Sequence, residues 1–251
     1  MKISIVTAVY NRARTIGDAI RSVSEQDHPE IEHVLIDGAS SDATMEIISN
    51  SVLRSPIVVS ERDSGIYDAL NKGVHRATGD VVGLLHSDDV FADQRVVSDV
   101  AACFSDPKVN LVYGDLDYVD GRDGLRVVRH WRAGHPSGAS LRAGWMPPHP
   151  TVFIRAEMYR ETGGFRTEFS VAADYELMLR LFLSGRVVHR YVPRVLVKMR
   201  TGGESNRSVE RILTKSREDF SALRRNGFSR LEAARALLLK NLRKVGQLVG
   251  Q

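Results

Sequence analysis

The sequence predicts an α/β protein in which a mostly parallel central sheet is covered by helices and followed by a C-terminal amphipathic helical tail. Three observations carry this expectation. In roughly the first 90 residues, short β-branched runs alternate with segments whose apolar residues recur every three to four positions. The 251 residues are 43% hydrophobic and 26% charged, the composition of a folded chain with enough apolar material for a full core. Charge is divided unevenly: residues 224–251 hold seven Lys/Arg against Glu232 alone, whereas the rest of the chain holds 28 basic and 30 acidic side chains. A mildly acidic domain therefore carries a basic tail.

The elements follow in order. Residues 2–9 read as a strand, and 13–23 as a helix with Ile16, Ala19, Ile20 and Val23 on one face. Strands at 33–36, 57–59 and 81–85 alternate with helices at 42–51 and 66–77, a βαβαβαβ order that places a parallel sheet between helical layers. The second half is less regular. Short strands are expected at 111–113 and 116–118, a turn at 120–124, a strand at 125–130, helices at 156–162 and 174–184, and a strand at 187–199. The Gly/Pro-rich stretch 133–150 reads as a long loop, a length that in a compact domain usually serves function. Cys103 lies in the helical pattern 96–104 and reads as a small core residue. No apolar run reaches the ~20 residues a membrane-spanning helix needs. The N-terminus enters directly on an apolar strand pattern without the features of a signal peptide, so the expected location is cytoplasmic.

In sheets of this kind ligands bind beyond the carboxyl ends of the strands, so the residues that follow each strand are the informative ones. After the first come Tyr10, Asn11 and Arg12, with no glycine. A dinucleotide site needs glycines there for backbone to approach pyrophosphate, and a P-loop needs Gly-Lys-Ser/Thr, so both classes lose support. After the second strand Asp37 offers a carboxylate to a base or sugar, while Asp42 reads as a helix cap. After the third come Glu61 and Asp63, then a helix start through Asn71 and Lys72. After the fourth come His86, Ser87, Asp88 and Asp89; adjacent acids at the end of a buried strand need compensation, which a divalent cation bridging a diphosphate supplies.

The order of these pieces is more specific than any one of them. A strand ending in Tyr-Asn, a second ending in Asp-Gly-x-Ser-x-Asp-x-Thr, then Gly-Ile-Tyr-Asp-Ala-x-Asn-Lys-Gly, then a strand ending in Ser-Asp-Asp resembles the family 2 glycosyltransferases of GT-A fold, a Rossmann-like architecture. The resemblance is nearest to the subgroup that builds bacterial exopolysaccharides, O-chains and glycolipids. It implies a transferase domain over 1–205, with a nucleotide-binding half at 1–115 and an acceptor and catalytic half at 116–205, followed by a basic helical tail at 206–251. The activity it implies is inverting transfer of a hexosyl or N-acetylhexosaminyl group from a nucleoside diphosphate sugar, a UDP-sugar first of all, to a saccharide or lipid-linked hydroxyl.

Carried over residue by residue, the resemblance places Asp37 on the nucleotide base, with Ala8, Val9, Tyr10 and Asn11 completing that pocket. Glu61 and Asp63 line the nucleotide and donor. Asp89 binds Mn²⁺ or Mg²⁺, and Asp88 faces the donor's ribose or sugar. Asn71 and Lys72 belong to the donor side, and Leu70 stands where many relatives carry Arg, which leaves Lys72 or the metal to meet the diphosphate. The catalytic base falls on Asp174, with Glu176 two residues on as a backup that a helix turns about 200° away. Trp145, His149, Gly202 and Gly203 are implied near the acceptor or diphosphate.

In the tail, Leu231, Ala234, Leu238, Leu242, Val245 and Val249 form an apolar stripe among basic residues. Two readings stay open: peripheral attachment to the inner face of an anionic membrane, or a helix docked on the domain. Nucleic acid is not expected, because the tail lacks aromatics to stack on bases. The competing classes for the whole chain are a metal-dependent nucleotidyltransferase and a catalytically silent membrane-surface binding protein on the same fold.

Overall fold

The computed structural model describes residues 1–120, 126–201 and 209–249, the side chains of Val209 and of 241–249 excepted. Strands β1 (Ile3–Val9), β2 (Ile31–Asp37), β3 (Ile57–Ser60) and β4 (Val81–Leu84) lie side by side in parallel in the order β3-β2-β1-β4. Helices α1 (Ile16–Ser24), α2 (Thr44–Ser49) and α3 (Ile66–Arg76) make the crossovers. Successive side chains of a strand point to opposite faces. Ile3 and Ile5 accordingly pack with Ala19 and Val23 of α1, while Val6 packs on the other face with Ala69 and Leu70 of α3. Gly73 permits the close approach of α3: a Cβ there would stand 2.3 Å from Val6 Cγ1. Leu70, 1% exposed, belongs to this core and not to the site.

Beyond β4 the sheet becomes mixed. β8 (Phe153–Arg155) inserts antiparallel between β4 and β6 (Leu111–Val119), and β9 (His189–Arg200) runs parallel to β6; β5 (Val90–Phe91) and β7 (Val127–Trp131) pair antiparallel with β9 and β6. The two short strands expected near 111–118 are one strand, because Asp115 is satisfied inside it by the Ala133 N–H and the Tyr191 hydroxyl, both at 2.8 Å. The expected loop 133–150 contains α5 (Gly138–Arg142), opened by a Ser137/Ser140 capping box, and leads into a 3₁₀ turn at His149–Thr151. Helices α4 (Val96–Cys103), α6 (Ala156–Thr162) and α7 (Ala173–Leu183) complete the covering layers, with Cys103 half-buried against the core.

The boundary expected at 205/206 does not separate a tail from a domain. Helix α8 (Val209–Arg225) packs on α7, and its Glu218 accepts hydrogen bonds from the backbone of Ser170, Val171 and Ala172 and from the Ser170 hydroxyl. Helix α9 (Arg230–Val249) docks through Ala233, Ala236 and Lys240, the last paired with Asp219 at 2.9 Å and lying 3.3 Å over the Tyr175 ring. The docking stripe is therefore not the expected one: Leu231 and Leu238 are 84% and 61% exposed and Ala234 is exposed beside them. No helix among the described residues is long and apolar enough to cross a membrane.

Candidate active site

The parallel registers bring the strand ends to one edge, Val9 beside Asp37, Asp37 beside Ser60 and Val6 beside Leu84. Asn11 takes a left-handed backbone conformation, φ 51°, which Asn tolerates better than most residues. Its side-chain oxygen accepts the Ser41 N–H, and its own N–H donates to Ser40 Oγ, both at 2.8 Å, so Asn11 staples the β1 loop to the β2 loop. Tyr10 projects from this corner, 57% exposed. A Cβ on Gly38 would stand 2.5 Å from Asp63 Oδ2 and 3.4 Å from Tyr10 Cδ2, so Tyr10 and Asp63 flank a floor that only glycine leaves open. Ala8 and Val9, 6% and 3% exposed, form the buried wall behind it.

Asp37 sits at this corner with 0% exposure, its oxygens taken by the Ser40 N–H, the Ser40 hydroxyl at 2.5 Å and the Ser60 hydroxyl at 2.6 Å. In this arrangement it shapes the loop rather than presenting a free oxygen. Two further donor-side expectations need correction. Asn71 donates to the Phe165 carbonyl and accepts the Phe165 N–H, both at 2.8 Å, so its amide is consumed clamping α3 to the turn after α6. Lys72 is held by Glu61 and Asp68, each at 3.3 Å, and donates to the Arg62 carbonyl, so protein acceptors already engage its ammonium.

The acid pair after β4 has a different character. Asp89 is 1% exposed; Oδ1 accepts the Arg200 N–H at 3.3 Å and Oδ2 has no partner. Burial, and then the charge of Asp88, push its pKa well above the usual carboxylate range. Arg200 braces the turn, donating to the Asp88 carbonyl and pairing with Asp18 at 2.7 Å. A buried carboxylate oxygen without a donor, beside a half-buried second acid, fits a divalent cation whose remaining ligands come from a substrate. Among the described residues there is no group of three or more His, Cys, Asp or Glu that would hold a metal by itself.

Asp174 lies in the first turn of α7, its side chain 11% exposed. His149 Nδ1 lies 3.0 Å from Oδ2, and the Tyr67 hydroxyl stands 3.2 Å from Oδ1 while donating at 2.9 Å to the Val171 carbonyl. Burial by itself would raise this carboxyl; His149 above all, then Lys215 and Lys240, hold it well below the ordinary range instead. His149 also meets His86, Nε2 to Nε2 at 2.9 Å. Burial, and then His149, lower His86 to about 4, so it is neutral at neutral pH. Burial raises Tyr118, Arg129 opposes this from 3.9 Å over the ring, and the charges of Asp89 and Asp174 both add to the rise.

Two other candidates prove structural. Glu176 is fully buried between Arg166 at 3.1 Å and Arg180 at 2.9 Å, on the side of α7 away from Asp174, and is no backup base. Trp145 donates its indole N–H to the Ala133 carbonyl and packs edge-on against Tyr113 and Phe182, which commits it to the core. Gly202 and Gly203 lie outside the described residues. Sequence reasoning assigned no role to Tyr67, His86, Arg200, Lys215 or Glu218. Tyr67 and His86 stood in the quoted motifs; Lys215 and Glu218 gave no signal, because only packing brings α8 to Asp174.

A half-parallel sheet joined to a mixed half, with helices covering both, matches the GT-A glycosyltransferase fold. Solved structures of that fold superpose on the chain. Staphylococcus aureus TarS 1-349 in complex with UDP-GlcNAc matches with TM-score 0.69 at 19% identity, over 94% of this chain and 70% of that one. The mannosyltransferase PcManGT from Pyrobaculum calidifontis, in complex with GDP-Man and Mn²⁺, matches with TM-score 0.69 at 20% identity, over 98% and 72%. Of the longer TarS chain, this one spans 42%. The chain belongs to glycosyl transferase family 2, whose description matches residues 4–170. An uncharacterized glycosyltransferase of Mycobacterium tuberculosis is 32% identical over 72% of this chain and 69% of its own. A PGL/p-HBAD biosynthesis glycosyltransferase of Mycobacterium bovis is 28% identical over 83% and 80%.

Proposed function

We propose that this family 2 enzyme is an inverting transferase. It moves a hexosyl or N-acetylhexosaminyl group from a nucleoside diphosphate sugar to a hydroxyl of a saccharide or lipid-linked acceptor in cell-envelope polysaccharide or glycolipid synthesis. The observation that carries this reading is the contrast of two buried acids whose charges both reach Tyr118: Asp174, held ionised, and Asp89, held short of a partner. Environments that push two carboxylates in opposite directions mark different roles.

Asp174 takes the proton of the acceptor hydroxyl as its oxygen bonds to the anomeric carbon. The bond from that carbon to the donor phosphate oxygen breaks on the opposite face, its electron pair leaving with the diphosphate. Tyr10, Gly38 and Asp63 frame the nucleotide, and Asp89 with Asp88 would hold Mn²⁺ or Mg²⁺. A bound cation there offsets the charge developing on the diphosphate. TarS with UDP-GlcNAc and PcManGT with GDP-Man and Mn²⁺ support the donor class, and the PGL/p-HBAD relative supports a glycolipid acceptor. A thermal-shift panel of UDP, GDP, CDP and dTDP with and without Mn²⁺ tests the reading. One metal-dependent hit at about 100 times its Kd stabilises by about 2.7 kcal/mol, a rise of roughly 5–10 °C for a chain of this size. No shift with any nucleotide would overturn it in favour of a silent binding protein.

The exposed stripe Leu231, Ala234 and Leu238, flanked by Arg230 and Arg235, supports attachment to the inner face of an anionic membrane, while Ala233, Ala236 and Lys240 dock the same helix on the domain. Truncating α9 would expose that docking face, so point changes are the cleaner probe. Leu231→Asp with Leu238→Asp is expected to lower binding to phosphatidylglycerol vesicles about tenfold or more, with Tm unchanged because both positions already face water. Unaltered vesicle binding returns α9 to a packing role alone.

A further inference from the structure

The hydrogen-bond chain through His149 does not stop at the base. It runs from Asp174 Oδ2 to His149 Nδ1 at 3.0 Å, then from His149 Nε2 to His86 Nε2 at 2.9 Å, the two rings meeting edge to face. An ionised carboxylate only accepts hydrogen bonds, so the hydrogen beside Asp174 belongs to His149 Nδ1. The two facing Nε2 atoms share one hydrogen, so the His86 ring braces the His149 ring with Nδ1 turned to the carboxylate. His86 leaves β4 three residues before Asp89, and His149 opens the 3₁₀ turn before β8, so the chain joins the nucleotide half to the catalytic half.

Asp174 needs such a holder. It is faced by Tyr67 from α3, His86 from beyond β4, Tyr118 from β6, His149 from the 3₁₀ turn, Lys215 from α8 and Lys240 from α9. Burial works against its ionised form, and His149 is the largest influence in the other direction. Among the described residues, His149 is also the one side chain that bonds Oδ2; at Oδ1 the Tyr67 proton has the nearer Val171 carbonyl.

We propose that His149 is a positioning residue for sugar transfer and His86 its support: His149 bonds Asp174 Oδ2 and keeps it aimed at the acceptor hydroxyl, and His86 holds the His149 ring with Nδ1 turned to Asp174. The proposal rests on the reading of Asp174 as the base. Without His149, burial regains control of Asp174, its pKa rises, and activity that needs the ionised base is lost at a higher pH on the acid side.

The test follows release of the nucleoside diphosphate from UDP-GlcNAc or GDP-Man, whichever binds with Mn²⁺, between about pH 5 and pH 9. In His149→Ala, kcat is expected to fall about tenfold or more at about pH 5. The acidic limb, below this range in the wild type, moves up into it, with the donor KM within about twofold of wild type. His149→Asn, whose Nδ2–H reproduces the donor to Asp174, recovers part of the rate near pH 8, and His86→Ala falls between. An unmoved acidic limb with kcat within about twofold overturns the proposal, as does a raised donor KM at unchanged kcat, which places His149 on the donor instead. Asp174→Asn separates the two readings: normal turnover sinks the base itself, whereas a dead Asp174→Asn beside a wild-type profile for His149→Ala sinks the positioning role alone. Nitrogen NMR of ¹⁵N-histidine-labelled wild-type protein needs no variant to fold. It is expected to show a hydrogen on His149 Nδ1, and a His149 with a bare Nδ1 would overturn the chain.

Discussion

Asp174→Asn is expected to lower kcat for sugar transfer by about 10³-fold, within the range a positioned general base supplies, while nucleotide binding with Mn²⁺ stays within about twofold. The separation follows from place. Asp174 belongs to α7 and is tied to His149 and Tyr67, whereas the nucleotide corner is built by the loops after β1, β2 and β3. Asn keeps the size and can still accept the His149 N–H, so the fold and the donor pocket persist and what is lost is the capacity to take a proton. Steady-state kinetics and calorimetric titration of the nucleotide check both halves. Transfer at the wild-type rate would return Asp174 to the role of a helix-start residue.

Asp89→Asn is expected to abolish the metal-dependent part of nucleotide binding, at least about 1.4 kcal/mol or a factor of ten in Kd, without lowering the Tm of the metal-free protein. The two signs have one cause. In the absence of a cation, Asp89 is a buried carboxyl with an orphaned oxygen and a repelling neighbour in Asp88, so ionising it costs the fold stability. Asn carries no charge to bury and retains an oxygen for the Arg200 N–H. Melting with and without Mn²⁺ and nucleotide reads both effects. An Asp89→Asn protein that binds nucleotide as the wild type does, with the same Mn²⁺ dependence, would move the metal away from this pair.

How much of this was legible in the sequence depended on whether the signal was local. The β1–β4 half repeats a β-branched run, a break and a 3.6-period helix, and α1 buries the four residues its periodicity names: Ile16, Ala19, Ile20 and Val23. The strand-end motifs sit where that order puts them, because a parallel βαβ chain returns every strand end to one edge. The second half lacks this redundancy. β5 is two residues long, β8 is three, and β6 interrupts its apolar run with Gly114 and Asp115, so each is defined by a pairing partner far along the chain.

For the site, residue type pointed to chemistry and packing decided which side chains are left available for it. Asn71, Lys72, Glu176 and Trp145 have the atoms to bind a donor or acceptor, yet each is spent on a neighbour: the Phe165 backbone, Glu61 and Asp68, two arginines, and an aromatic cluster. In α9 the sequence marked Leu231, Ala234 and Leu238 as the apolar stripe, and the structure buries Ala233, Ala236 and Lys240 instead, since small residues and a paired lysine let the helix approach Gly144 and Tyr175. By itself the sequence determined the α/β half and the edge at which its motifs gather, and its family resemblance pointed to Asp89 and Asp174. Only the tertiary structure decided that α8 packs against α7, that His86 reaches Asp174 through His149, and that Asp174 is ionised while Asp89 is not compensated. Those are properties of distances between elements remote in sequence, and burial and charge act through such distances without regard to chain order.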